Sequence, residues 1–194
     1  PSQHEIDMRF APALEMADHT ITYRLIVKEI AKKAGFHATF MPKPIFGENG
    51  SGMHTHMSLF TDGRNQFFDE EDKWHLSDTG KAFIAGQLRH AREIAGVFAQ
   101  WVNSYKRLVP GYELPEPMET NLYHLTPEQR EERGIVALPE TLGEAIDELA
   151  HSELAKQALG RHIFDRYIEL KRKEWDEYRV QLTSWELERY LPVL

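Results

Sequence analysis

Met53-His54-Thr55-His56-Met57-Ser58-Leu59-Phe60 alternates between two sets of residues with a period of two. Successive side chains of a strand point to opposite faces, so His54, His56 and Ser58 share one face at intervals of about 7 Å. Met53, Met57 and Leu59 fill the opposite face as core. Asp62-Gly63 follows and predicts a tight hairpin turn. Ahead of the strand runs the loop Gly47-Glu48-Asn49-Gly50-Ser51-Gly52. A second alternation lies at residues 3–10, where Gln3, Glu5, Asp7 and Arg9 face one way and His4, Ile6, Met8 and Phe10 the other.

Helical patterns surround these strands. Asp18 is placed to cap a helix carrying Ile21/Leu25 and Ile26/Ile30 at i,i+4 spacing, with Gly35 as its stop. Pro42 and Pro44 confine any strand over 36–46 to a short or edge position. Ser77 predicts the start of a long helix with Phe83, Leu88, Ala91, Ala95 and Phe98 on one face. Leu114-Pro115-Glu116-Pro117 reads as a linker, and three capping boxes follow at Thr126/Gln129, Thr141/Glu144 and Thr183/Glu186. Pro127 and Gly134 bracket a first short helix. Ile146, Leu149 and Ala150 line a second that Gly160 closes, and Phe164, Tyr167, Ile168, Lys171, Trp175 and Tyr178 mark a third. The fold class is therefore α+β, with a sheet-and-helix part over 1–113 and a helical part over 114–194.

Composition excludes several functions. The 194 residues contain no cysteine, which rules out a disulfide framework, a Cys-ligated zinc and a thiol nucleophile. Lys and Arg number 23 against 31 Asp and Glu, with no basic block, so nucleic acid is not an expected partner. Apolar runs are too short for a membrane span and no signal-peptide pattern is present, which predicts a cytoplasmic protein. Pro1-Ser2-Gln3 leads straight into a strand pattern without an initiator Met, and the expectation is a fragment of a longer chain.

Several of these residues can carry chemistry. His54, His56 and Ser58 beside a Gly-rich loop suit a metal and phosphate site, or else they are surface residues on a solvated strand face. Glu5 suits a hard cation such as Mg²⁺ or Mn²⁺, or a cross-strand ion pair. The loop 47–52 lacks the Gly-Lys-Ser/Thr of a phosphate-binding P-loop and is equally an ordinary turn. Arg107 can clamp a carboxylate with two parallel bonds or serve in a surface ion pair.

Three longer segments carry a resemblance that these generic patterns do not. His37-Ala-Thr-Phe-Met-Pro-Lys-Pro44, Asn49-Gly-Ser-Gly-Met-His-Thr-His56 and Asn103-Ser-Tyr-Lys-Arg-Leu-Val-Pro-Gly-Tyr-Glu113 resemble the catalytic domain of bacterial-type glutamine synthetase in order and spacing. Gln3-His-Glu-Ile-Asp7 resembles the segment just upstream, and Asn121-Leu-Tyr-His-Leu125 through Tyr190 the family's helical C-terminus. The whole chain, 1–194, thus resembles one partial catalytic domain.

The resemblance implies ATP-dependent ligation of ammonia to the γ-carboxylate of glutamate through a γ-glutamyl phosphate, with Mg²⁺ or Mn²⁺ as cofactor. Glu5 matches a ligand of one divalent ion and His54 a ligand of a second. His56, Met57 and Ser58 match ATP-contacting positions, and Asn49 and Gly50 match the loop holding substrate glutamate. Arg107 matches the arginine that grips the substrate carboxylate. Glu113 matches the flap glutamate that helps deprotonate ammonium. Tyr123 falls where some relatives carry an adenylylated tyrosine, and that regulation is not expected here. The family assembles as double-ring dodecamers of identical subunits. A sister ligase using a polyamine or another amine, and a non-catalytic assembly relative, fit the same retained residues.

One departure stands out. After Gly111-Tyr112-Glu113 the family continues for roughly sixty residues that hold an Asn-Arg-Ser segment, phosphate-binding arginines and a metal-binding glutamate. This chain passes directly to Leu114-Pro115-Glu116-Pro117-Met118. Transfer of a phosphoryl group depends on charge stabilisation by metals and arginines, so the 194-residue chain is not expected to turn over alone.

Overall fold

A 21-residue helix, α1 (Ala13–Lys33), begins directly after Pro12, whose carbonyl accepts the Met16 N–H at 2.8 Å. Proline suits this position because its φ is already fixed and it has no N–H to leave unpaired. Asp18, the expected cap, therefore lies inside the first turns. The other end follows the sequence. Gly35 adopts φ +80°, its N–H donates to the Lys32 carbonyl at 3.1 Å, and the Phe36 N–H reaches the Ala31 carbonyl at 2.8 Å. That pair of bonds is a Schellman closure, and it requires a residue free of Cβ.

The computed structural model describes residues 3–106 and 137–193, and the chain divides into two units, Pro1–His54 and Thr55–Leu194. In the first unit Met16, Thr20, Tyr23, Val27 and Ala31 form the half-buried stripe of α1, at helical spacing. Tyr23 meets Phe40 edge to face at 5.6 Å between ring centres. Ile21, Leu25, Ile26 and Ile30, the expected apolar pairs, are exposed instead. The strand expected over 3–10 is not formed, and neither is one over 36–46. Alternation marks a face but supplies no partner, and a lone strand leaves its backbone groups to water.

The second unit opens with the one hairpin among the described residues. Strands β1 (Phe60–Thr61) and β2 (Arg64–Asn65) pair antiparallel, Phe60 opposite Asn65 and Thr61 opposite Arg64. Asp62 and Gly63 both take positive φ, 51° and 75°, as a two-residue hairpin turn of the expected kind demands. The strand expected over Met53–Phe60 is thereby corrected to its final residue. The α+β class holds, and among the described residues helices dominate and the sheet is this hairpin.

Downstream, the Ser77 hydroxyl accepts the Gly80 N–H at 3.1 Å and opens α2 (Asp78–Phe98) as expected. It also donates to the Gln66 carbonyl at 2.5 Å, tying the helix start to the hairpin. Helices α3 (Val102–Tyr105), α4 (Leu142–Ala150), α5 (Glu153–Leu159), α6 (Arg161–Arg179) and α7 (Ser184–Tyr190) follow. The core is built on α4, where Leu142, Ala145, Ile146 and Leu149 are all but fully buried. Ala155, Phe164, Ile168 and Tyr105 close around them. Gly96 lets α2 reach this core: a Cβ there would stand 3.1 Å from the Ala145 carbonyl oxygen. Phe98, expected on the core face, points outward at 77% exposure.

The single helix expected between Thr141 and Gly160 is two. Ser152 is buried, and its hydroxyl accepts the Ala155 N–H at 3.0 Å, capping α5 after a break at His151. Gly160, at φ +72°, ends α5 and leads straight into α6. The Thr183/Glu186 capping box forms completely. At Thr141 the hydroxyl half forms, while the Glu144 carboxylate accepts from the Glu140 N–H at 2.9 Å. The linker at 114–117, the Thr126/Gln129 box and the Pro127–Gly134 helix lie outside the described residues.

Candidate functional site

In the first unit the extended run from Gln3 and the loop 47–54 are joined by side chains. The Gln3 side-chain amide donates to the Gly50 carbonyl at 2.9 Å. The Ser51 N–H donates to the Pro42 carbonyl at 2.8 Å, and the Lys43 ammonium to the Glu48 carbonyl. Gly47, at φ +82°, turns the chain into this loop. These ties bring Glu5 Oε1 to 3.9 Å from His54 Nδ1, with both side chains largely in solvent.

A carboxylate oxygen and an imidazole nitrogen at that separation form an ion pair when the histidine is protonated. With neutral histidine they offer one hard and one borderline donor to a divalent cation. No group of three or more His, Asp or Glu side chains is arranged to hold a metal among the described residues. Asn49 is exposed on the same loop, and the Gly50 carbonyl is already engaged by Gln3. Gln3 is the contributor that sequence reading missed. A contact spanning 47 residues leaves no local signal.

His56, Met57 and Ser58 belong to the second unit, where they are exposed and outside any strand. The shared face expected for His54, His56 and Ser58 rests on a strand that does not form, and that expectation is corrected. Arg107, Glu113 and Tyr123 lie outside the described residues.

The first four residues of the Asn103–Glu113 segment are described and pack against α6. Tyr105 is buried, and burial pushes its hydroxyl pKa far above the usual phenol value. Lys171 on α6 is also buried. Its ammonium sits 3.9 Å from the centre of the Trp101 ring and donates to Glu174 at 2.8 Å. Lys106 lies over the Tyr178 ring at 5.2 Å. No described helix is long and apolar enough to cross a membrane.

The fold and these segments define a mainly helical α+β chain carrying a carboxylate–imidazole pair beside a glycine-rich loop. The family model described as glutamine synthetase, catalytic domain, matches residues 1–116 and 112–190, and the chain belongs to that family. Glutamine synthetase of Methanosarcina mazei is 40% identical over 253 aligned residues, covering 100% of this chain and 57% of the relative. That of Thermotoga maritima is 38% identical over 250, covering 98% and 57%. A solved structure of a GmaS/ADP complex superposes with TM-score 0.82 at 26% identity, over 94% of this chain and 55% of that one.

The chain thus spans little more than half the length of these relatives. The two family matches meet at 112–116, where the sequence breaks from the family pattern. The M. mazei alignment runs to 253 positions against 194 residues here, so 59 positions have no counterpart in this chain.

Proposed function

We propose that the protein containing these residues is an ATP-dependent ligase joining ammonia to the γ-carboxylate of glutamate, and that the 194-residue chain does not turn over alone. The observation that carries the site is the approach of Glu5 to His54 at 3.9 Å beside the Asn49-Gly50 loop. Two ions at a shared phosphate typically stand about 3.5–4 Å apart. Ligands of neighbouring ions are therefore expected close together, as Glu5 and His54 are. Mg²⁺ or Mn²⁺, when bound, neutralises charge on the transferring phosphate.

In this reading the γ-carboxylate oxygen of glutamate attacks the terminal phosphorus of ATP and ADP leaves. Ammonia then attacks the acyl carbon and phosphate departs with the C–O electron pair. Asn49, Gly50 and Arg107 hold the glutamate end, and His56, Met57 and Ser58 contact ATP. Glu113 accepts a proton as ammonium becomes ammonia. By the family resemblance, the groups that steady the phosphate in flight lie in the segment that the family carries after Glu113, and the alignment with the M. mazei relative leaves 59 positions without counterpart in this chain. That gap favours a second reading for the chain itself, a piece that binds without catalysing. Removing even one such donor typically costs about 3 kcal/mol of transition-state stabilisation.

The test is ATP- and glutamate-dependent phosphate release with ammonium or hydroxylamine. The chain alone is expected to release none. Restoring the family segment after Glu113 in a chain of the relatives' full length should bring activity back, and Glu113→Gln or Arg107→Ala should then reduce it at least a hundredfold. Turnover by the 194-residue chain would refute the reading of the gap. Ring assembly is proposed for the intact protein, whereas this chain should sediment as a broad distribution without one sharp large species.

A further inference from the structure

Gln3 and Glu5 alternate along the extended run, and alternate residues of an extended backbone point the same way. Both reach the loop. The Gln3 amide donates to the Gly50 carbonyl at 2.9 Å, and Glu5 Oε1 comes to 3.9 Å from His54 Nδ1. Among the described residues no backbone hydrogen bond joins 3–10 to 47–54, so these side-chain contacts span the gap in place of a ladder. The loop is held independently from its other side, where the Ser51 N–H donates to the Pro42 carbonyl at 2.8 Å.

The two contacts are unequal. At 3.9 Å the Glu5–His54 approach is longer than a hydrogen bond, and the side chains are 77% and 82% exposed. Solvent screens such a pair, and it holds two segments together only weakly. Cation binding removes even that attraction, because a metal-bound imidazole is neutral and the carboxylate turns to the ion. The Gln3 amide is neutral and shares no atom with the pair. Its bond to the Gly50 carbonyl therefore survives when both donors face a cation.

We propose that Gln3 is a positioning residue: by holding the extended run to the Gly50 carbonyl it keeps Glu5 opposite His54 and raises the affinity of that pair for divalent cations. A donor pair already in place spares the binding step the ordering of the chain. The affinity half rests on the reading of Glu5 and His54 as ligands given above, and the tie itself does not.

Gln3→Met keeps the length of the side chain and removes its donor, and Gln3 is exposed, so the packing of α1 is untouched. The chain lacks cysteine, so Asp7→Cys gives a unique attachment point for a nitroxide label. In the metal-free 194-residue chain, Gln3→Met should raise label mobility at Asp7→Cys at least twofold. A control label at Lys28→Cys on α1 should not respond. An unchanged Asp7→Cys label overturns the proposal. Mn²⁺ affinity at the pair is read from paramagnetic broadening of the His54 imidazole resonance, assigned by its loss in His54→Ala. Gln3→Met should weaken it at least threefold with the thermal melt unmoved. In a Glu5→Gln chain the same change should have almost no effect, since Gln3 acts through Glu5. A freed label with unmoved Mn²⁺ affinity overturns the proposal, and so does a threefold loss that persists in the Glu5→Gln chain. Absence of His54 broadening in the unaltered chain at about 10 mM Mn²⁺, well above the weak end of such sites, overturns the ligand reading and the affinity half with it. The label then still decides the tie.

Discussion

Tyr167 donates its hydroxyl to the Gly96 carbonyl at 2.6 Å, joining the middle of α6 to the last turn of α2 across 71 residues of sequence. The contact stands at Gly96, a buried residue of α2 packed against Ala145 and Ile146 of α4. Burial pushes the Tyr167 pKa up to about 12, so it stays a donor over the whole working pH range.

Tyr167→Phe should therefore cost about 1–2 kcal/mol, the range for a lost bond that leaves a part-buried carbonyl unpaired. Denaturant unfolding followed by helix content measures it, and an unchanged midpoint would show that water replaces the hydroxyl without penalty.

Two glycine-to-alanine changes should move stability in opposite directions. At Gly143 a Cβ would meet the Trp175 ring at 2.5–3.0 Å, so Gly143→Ala should destabilise by about 1–3 kcal/mol. At Gly86, within α2, nothing lies within 4 Å, so Gly86→Ala should stabilise by about 0.5–1 kcal/mol through helix propensity. Thermal melts of the pair decide it.

Asp72 should govern acid behaviour near the hairpin. Lys81 pairs with its carboxylate and the Trp74 and Leu76 N–H groups donate to it, which together lower its pKa to about 2. A depressed carboxyl pKa contributes stability that is fully present above its ordinary value of 3.8 and is lost as pH falls toward about 2. The Asp72 carboxyl resonance should titrate with a midpoint near that lower value, and Asp72→Asn should flatten the pH dependence of Tm across this window.

Divalent binding should be weak. Glu5 and His54 supply two donors where a tight cage needs more, so Mn²⁺ should bind with Kd on the order of 10⁻⁴–10⁻³ M. Glu5→Gln and His54→Ala should each weaken it further. Calorimetry finding a tight, stoichiometric Mn²⁺ site would contradict this.

Where the sequence carried the answer, the determinant was local. Ser77, Thr141, Thr183, Gly35 and Asp62-Gly63 all act on backbone groups within a few residues, and each does in the structure what its type predicts. The helix face of α6 was legible for the same reason, because Phe164, Ile168 and Lys171 repeat at helical spacing. The strands at 3–10 and 53–59 were not, since a strand is completed by a neighbour that alternation does not name. Ser152 hid inside an apparently continuous helical pattern, and only its burial and capping bond expose the break. At the site, the motif singled out Glu5 and His54, which stand 3.9 Å apart, but the Gln3–Gly50 tie that brings their segments together spans too much chain for any local pattern.

α1 runs for 21 residues, is well closed by its Schellman turn, and has no fully buried side chain. Helices owe most of their persistence to tertiary burial, because nucleation is costly and propagation gains little per residue. α4 is less than half as long and has four buried residues among nine. Its amide protons should trade with solvent only through cooperative opening of the surrounding helices, whereas those of α1 should escape by local fraying and unwinding. In deuterium the two helices would keep different clocks, and the longer one would run fast.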